Sequence, residues 1–131
     1  ITGFPSESEK DHRDTLTLIQ EAEFSHVHTF RYSPRPLTPA ANFENPVEES
    51  VKKARSLEIM EQSAQTGRQY LQKFHQKEGW FLGEKKTRAG ISGHTDYYLP
   101  LLLKTGGEVN HLTRICYEFD GEEKILKGKT L

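Results

Sequence analysis

His26 and His28 stand one residue apart, and on a strand that spacing turns both imidazoles to one face, as metal sites often require. The other histidines, His12, His75, His94 and His111, are scattered, with no His-Glu-x-x-His helix and no cysteine near the pair. Packed histidines on a buried strand are therefore expected in preference to a metal site. Cys116 is the only cysteine in 131 residues. Flanked by Ile115 and Tyr117 on a predicted strand, it reads as a core residue rather than a nucleophile, and alone it can form neither an internal disulfide nor a four-cysteine metal site. No pair of carboxylates has a spacing that suggests acid–base catalysis.

Two further constellations carry chemistry. Lys85, Lys86 and Arg88 form a cationic cluster, and His94, Tyr97, Tyr98 and Lys104 follow on or near one strand. Cations mixed with aromatic faces can grip a phosphate backbone and stack an unpaired base; the plainer reading is a solvated charge run beside the tyrosines of a core. In residues 32–41, Pro34, Pro36 and Pro39 fix their own φ and hold the preceding residues extended, so Ser33, Arg35 and Thr38 are presented from a stiff loop. Such a loop suits ligand contact, and a Pro-rich linker has the same composition.

These residues need elements to position them. Ile1-Thr2-Gly3-Phe4 reads as the end of a strand stopped by Pro5, and Ser6 stands three residues ahead of Glu9, the spacing of a capping box. Leu16, Leu18, Ile19 and Ala22 give the following helix an apolar stripe, with Glu7, Glu9 and Asp11 at its positive end. Residues 26–32 read as a strand of about seven residues. Two strands joined by one helix lie parallel and bind ligands at their carboxyl ends, where Gly3-Phe4-Pro5 and the loop after Tyr32 fall.

Asn45-Pro46 predicts a new helix start, with Glu48 and Glu49 in its first turn. Val47, Val51, Ala54, Leu57, Met60, Ala64, Gly67, Leu71 and Phe74 recur at spacings of three and four, so one apolar face is expected as far as about residue 77. Gly67 marks a bend or a close backbone contact in it, and Gly79 a stop. From Trp80 the pattern changes to strands and glycine turns. Residues 93–103 form an apolar run, 104–107 a turn, 108–119 a further strand, and Asp120-Gly121 a turn before the strand at Lys124 to Lys127. This predicts a small antiparallel β-barrel in which Pro100 occupies an edge or a bulge.

Composition sets the outer bounds. With 34% apolar and 28% charged residues, the chain has room for one ordinary domain or two small ones. No run approaches a membrane span and the first residues lack a signal peptide's regions, which predicts a cytoplasmic location. From Trp80 onward there are eight Lys/Arg against seven Asp/Glu, about +1, far from a strongly basic balance.

The motifs carry a resemblance. Ile-Thr-Gly-Phe-Pro-Ser-Glu, residues 1–7, and the Tyr-Ser-Pro-Arg-Pro-Leu-Thr-Pro-Ala run that starts at Tyr32 resemble the last barrel strands of the radical S-adenosylmethionine methylthiotransferases that modify tRNA, the MiaB-like family. That family has a Gly-Phe-Pro-Gly-Glu-Thr turn followed a helix later by Tyr-Ser-Pro-Arg-Pro-Gly-Thr-Pro-Ala. The chain departs at Ser6 and Leu37, where the family usually has glycine, and at Ser8, where it has threonine; Leu37 is expected to forbid an easy positive φ. Gly93-His-Thr-Asp-Tyr-Tyr is similar to the Gly-x-Thr-x-Asn-Tyr segment of the TRAM domain, the RNA-binding barrel that ends these enzymes, with a tyrosine where asparagine is usual.

The resemblance implies an α/β fold plus a small all-β domain: residues 1–45 as the C-terminal part of a partial parallel (βα) barrel, 46–79 as a long connecting helix, and 80–131 as an OB-like, TRAM-like antiparallel β-barrel. It implies that the intact enzyme uses S-adenosylmethionine and 4Fe-4S clusters to add a methylthio group to a hypermodified adenosine beside the anticodon, with the threonylcarbamoyladenosine branch favoured. Gly3, Phe4, Pro5, Tyr32, Ser33, Pro34 and Arg35 would line the adenosine end of the cofactor pocket. Lys85, Lys86, Arg88, His94, Tyr97, Tyr98 and Lys104 would meet the anticodon stem-loop. The cluster needs groups of three cysteines that this chain lacks, so the sequence reads as an inert C-terminal fragment whose partner is the missing N-terminal part, with a free barrel edge favouring self-association. The contrasting reading is a stand-alone RNA-binding or protein-interaction module without chemistry.

Overall fold

The computed structural model describes residues 1–122 and 125–131, in two compact units, 1–67 and 68–131. In the first unit, helix α1 spans Glu9–Glu21. Its cap is Ser8 and not Ser6: Ser8 Oγ accepts from the Asp11 amide, and Asp11 accepts from the Ser8 amide at 2.8 Å. Ser6 is unsuited to the task because its backbone has φ +68°. On α1 only His12 and Ile19 are buried, while Leu18 is exposed.

The expected strand over residues 26–32 does not form. A single parallel bridge joins Thr2 to Arg31, made by the Thr2 amide donating to Phe30 O (2.8 Å) and the Tyr32 amide donating to Thr2 O (2.7 Å). Further back the segment bonds elsewhere: the Val27 amide donates to Ser63 Oγ at 2.9 Å. His26 and His28 are exposed, their rings 4.4 Å apart edge to face, so the expectation of buried histidines fails with the strand. A short 3-10 turn at Pro39–Asn42 follows the Pro-rich loop.

Helix α2 runs over Glu49–Gln72. It starts later than Asn45-Pro46 predicts: Asn45 takes φ +58°, a left-handed backbone and not the extended one of an N-cap. It ends earlier too, with Gln76 at φ +63° donating its amide to Tyr117 O (2.8 Å), and Gly79 lies inside a strand. Its buried residues in this unit are Lys52, Arg55, Ile59, Ser63, Thr66 and Gly67. Val51, Leu57 and Met60, predicted to face a core, are exposed. Gly67 is a close backbone contact, as its place in the pattern suggests: a Cβ there would lie 2.6 Å from Ser25 O.

The second unit is a closed five-stranded barrel of β1 (Glu78–Thr87), β2 (Gly90–Thr95), β3 (Pro100–Leu103), β4 (Leu112–Asp120) and β5 (Ile125–Thr130), in the order β1-β2-β3-β5-β4. The run 93–103 is two strands because a turn intervenes, with the Tyr98 amide donating to Thr95 O. One ladder departs from the antiparallel expectation, since β3 and β5 pair in parallel. Pro100 is neither edge nor bulge: it opens β3, opposite His94, where a strand tolerates a missing N–H. Lys124, placed by its sequence in the last strand, lies outside the described residues.

Alternation fills the barrel. Phe81, Leu99, Leu101, Leu103, Ile115, Tyr117 and Leu126 are buried in one cluster, and Phe74 joins them from the segment after α2. Cys116, between two of these, is only partly buried, because its side chain points the other way. Among the described residues, closure joins β1 to β4 and leaves no barrel edge of the kind that was expected to favour self-association. No helix among the described residues is long and apolar enough to cross a membrane.

Candidate functional site

The bridge from Thr2 to Arg31 sets Gly3-Phe4-Pro5 beside the start of the Pro-rich loop. Phe4 packs edge-on against Tyr32 (5.2 Å between ring centres) and Phe43 (5.9 Å). Gly3 and Pro5 are buried, whereas Ser33, Pro34 and Arg35 are exposed. Two surface depressions meet at Tyr32. One is bounded by Ile1, Phe30, Tyr32, Ser33, Arg35, Thr38 and Ala40; the other, nearer α2, by Thr29, Arg31, Ser33, Pro34, Glu49, Lys52 and Ser56.

What holds these loops is a set of charged side chains that an apolar periodicity does not register. Arg55, 7% exposed, donates through Nη1 to the Glu7 carboxylate (2.6 Å) and to Glu7 O (3.0 Å). The same Glu7 oxygen accepts the Gly3 amide at 2.7 Å. That amide is thus unavailable to a ligand, and Gly3 contributes shape: it sits at φ +73°, with no room for a Cβ against the Lys52 stem. Lys52 Nζ donates to Tyr32 O (3.3 Å) and lies 5.7 Å from the centre of the Tyr32 ring. Burying these cations is tolerable because each meets oxygen acceptors or a ring face. The Tyr32 and Thr29 hydroxyls and Arg55 Nε are buried with no hydrogen-bond partner among the described residues.

Ser6 and Leu37 correct a further expectation. Both adopt positive φ, +68° and +69°, so the conformation that the family pattern gives to glycine is kept without glycine. At Ser6 a distant contact accompanies it, the amide donating to Asn45 O at 2.9 Å, whereas the Leu37 side chain is fully exposed.

On the barrel the predicted RNA-facing residues fall into two groups. Lys85 and Lys86 end β1, Arg88 lies in the turn to β2, and Lys104 follows β3 alongside that turn, its Cα 2.9 Å from where a Cβ on Gly90 would lie. All four are exposed. At the other end of β2, His94 stacks on Tyr98 with ring centres 4.8 Å apart and planes 13° from parallel, and the Glu84 carboxylate bonds His94 Nδ1 at 2.9 Å. Tyr97 is separate from both, its ring packed 4.8 Å from Phe74. Inside the barrel, burial and then the 2.6 Å hydrogen bond to Asp96 push the Tyr117 phenol above its ordinary value. Among the described residues no group of three or more His, Cys, Asp or Glu could hold a metal ion.

The strand order and the single parallel ladder between β3 and β5 make the second unit an OB-like barrel. No family model matches the chain. Individual relatives do. The threonylcarbamoyladenosine tRNA methylthiotransferase MtaB of Thermotoga maritima is 41% identical over 100 residues, covering 76% of this chain and 23% of that protein. The tRNA-2-methylthio-N(6)-dimethylallyladenosine synthase of Bartonella tribocorum is 32% identical over 117 residues, covering 88% and 26%. The synthase of the same name from Ehrlichia chaffeensis is 44% identical over 61 residues, covering 47% and 14%. The chain belongs to the MiaB-like tRNA methylthiotransferases. It spans about a quarter or less of the length of these curated relatives.

Proposed function

We propose that, in a methylthiotransferase of this family, the segments around Gly3-Phe4-Pro5 and Tyr32 to Arg35 form part of the S-adenosylmethionine pocket, that the barrel binds a tRNA anticodon stem-loop, and that the reaction adds a methylthio group to threonylcarbamoyladenosine. The observation that carries the pocket is the parallel bridge from Thr2 to Arg31, which brings two segments with the family's spelling side by side. The residues suit the cofactor: Ile1, Phe30 and Tyr32 offer apolar surface for an adenine ring, the buried Tyr32 hydroxyl lacks a partner, and Arg35 is exposed beside them. They do not suit an iron–sulfur cluster, which needs cysteine thiolates. The cofactor, when bound, supplies the radical chemistry that an unactivated carbon requires. This chain's contribution is to bind and orient: Glu7 and Arg55 fix the Gly3 turn, and Lys52 ties Tyr32 O to α2.

The threonylcarbamoyladenosine assignment leans on the relative that covers 100 residues at 41% identity. Expression of the full coding sequence in a host lacking its own methylthiotransferases, followed by mass spectrometry of tRNA nucleosides, tests it. Methylthiolated threonylcarbamoyladenosine is expected. Methylthiolated dimethylallyladenosine would reverse the branch, and neither product would overturn the enzyme reading. Stem-loop binding by this chain should weaken steeply as salt rises, since exposed Lys85, Lys86, Arg88 and Lys104 would release counterions from the backbone.

A further inference from the structure

The two groups of side chains on the barrel differ in kind, and the difference deepens the RNA reading, on which the following rests. We infer that Tyr98, backed by His94, is a preorganised platform for a single unpaired nucleobase, separate from the Lys85, Lys86, Arg88 and Lys104 group. Tyr98 is 81% exposed and holds φ +58°, a left-handed backbone that a bulky residue adopts only when its surroundings impose it.

The surroundings do impose it. The Tyr98 amide donates to Thr95 O at 2.8 Å, and Thr95 Oγ1 accepts the Tyr97 and Leu99 amides, each at 3.2 Å. The Asp96 amide donates to Trp80 O at 3.0 Å while its carboxylate accepts the buried Tyr117 hydroxyl at 2.6 Å. This turn spends its hydrogen bonds on pinning a residue whose ring then buries almost nothing. The ring lies flat on the imidazole of His94, which Glu84 in turn holds by Nδ1.

A flat aromatic surface with one face covered and the other open to solvent takes a base by stacking, and every base has a face to offer. Tyr97 differs from Tyr98 in being less exposed, 57% against 81%, and in meeting its neighbour Phe74 at a tilt of 59° rather than flat. The division of labour is then physical: the cations give affinity that depends on salt, and the platform gives affinity that depends on one base being unpaired.

Titration of the full chain with a fluorescent anticodon stem-loop, and with the same loop carrying one abasic position at a time, tests this. Tyr98→Ala should weaken binding about tenfold, Tyr98→Phe less than about twofold, and one abasic position should abolish the difference between Tyr98→Ala and the unaltered chain. Trp80 fluorescence verifies that each variant is folded. If Tyr98→Ala binds as the unaltered chain does while Lys85→Ala with Lys86→Ala binds weakly, the platform is wrong and the RNA reading stands. If Tyr98→Ala weakens every abasic loop equally, the residue acts through the fold and the platform is again wrong. If the unaltered chain does not bind the stem-loop at low salt, the RNA reading fails and the platform with it.

Discussion

The two units bury different chemistry. In the barrel the interior is Phe81, Leu103, Ile115 and Tyr117, each wholly covered, and every strand is paired on both sides. In the first unit the buried face of α2 carries Lys52, Arg55, Ser63 and Thr66 with Ile59, and the segments it holds share one bridge. A ladder satisfies backbone groups along its length, whereas an isolated bridge leaves the neighbouring carbonyls to be met by side chains. Long cationic stems can reach them: Lys52 takes Tyr32 O and Arg55 takes Glu7 O. The lesson is that where the chain is irregular, burial selects hydrogen-bonding reach instead of apolarity.

Substitutions can separate these two ways of holding a fold. Phe81→Ala empties the middle of the barrel core and should cost about 3–5 kcal/mol, read as an earlier loss of the Trp80 signal in urea. Arg55→Met should cost a similar amount, about 3–5 kcal/mol, by leaving the Glu7 carboxylate, 12% exposed, without its partner. Its effect belongs in helical circular dichroism, and adding Glu7→Gln should cost less than the sum of the two single changes, by about 1 kcal/mol or more. Equal and additive losses would mean that Arg55 acts by packing alone.

A smaller effect is expected inside the barrel from its one buried phenol. Tyr117→Phe removes a hydrogen bond to a carboxylate and should cost about 1.5–3 kcal/mol at neutral pH. Because folding raises the Tyr117 pKa above 10.0, its contribution is complete below that value and is lost as pH climbs past it. The stability gap between Tyr117→Phe and the unaltered chain should therefore narrow in alkali; a constant gap would contradict the assignment. The smallest effect is a gain. Leu37→Gly relieves a left-handed backbone at a fully exposed side chain and should raise stability by about 0.5–1 kcal/mol in urea melts. No gain would mean that the conformation costs leucine little there.

The barrel was legible as strands and glycine turns from Trp80 onward, but not in which faces point inward: Leu101, Leu102 and Leu103 are alike in sequence, and Cys116, read as a core residue, is only partly buried between Ile115 and Tyr117. The turn that divides β2 from β3 was not legible, since Thr95 Oγ1 caps it and the Asp96-Tyr97 spelling announces nothing. Of the candidate pocket, motif spelling proposed Gly3-Phe4-Pro5 and Tyr32 to Arg35, while Glu7 read only as an acid near a helix start, and no motif or apolar period singled out Lys52 or Arg55.

By itself the sequence determined the family and the change from helix to strands and glycine turns near Trp80, because motif identity and apolar period are local properties of the chain. Tertiary structure alone decided which face of α2 is covered, that β3 runs parallel to β5, and that Ser6 and Leu37 take the conformation of glycine. The covered face of α2 and the Ser6 turn depend on acceptors supplied from distant residues, Tyr32 O for Lys52 and Asn45 O for Ser6, and no periodicity along one segment encodes where another segment's carbonyl will lie.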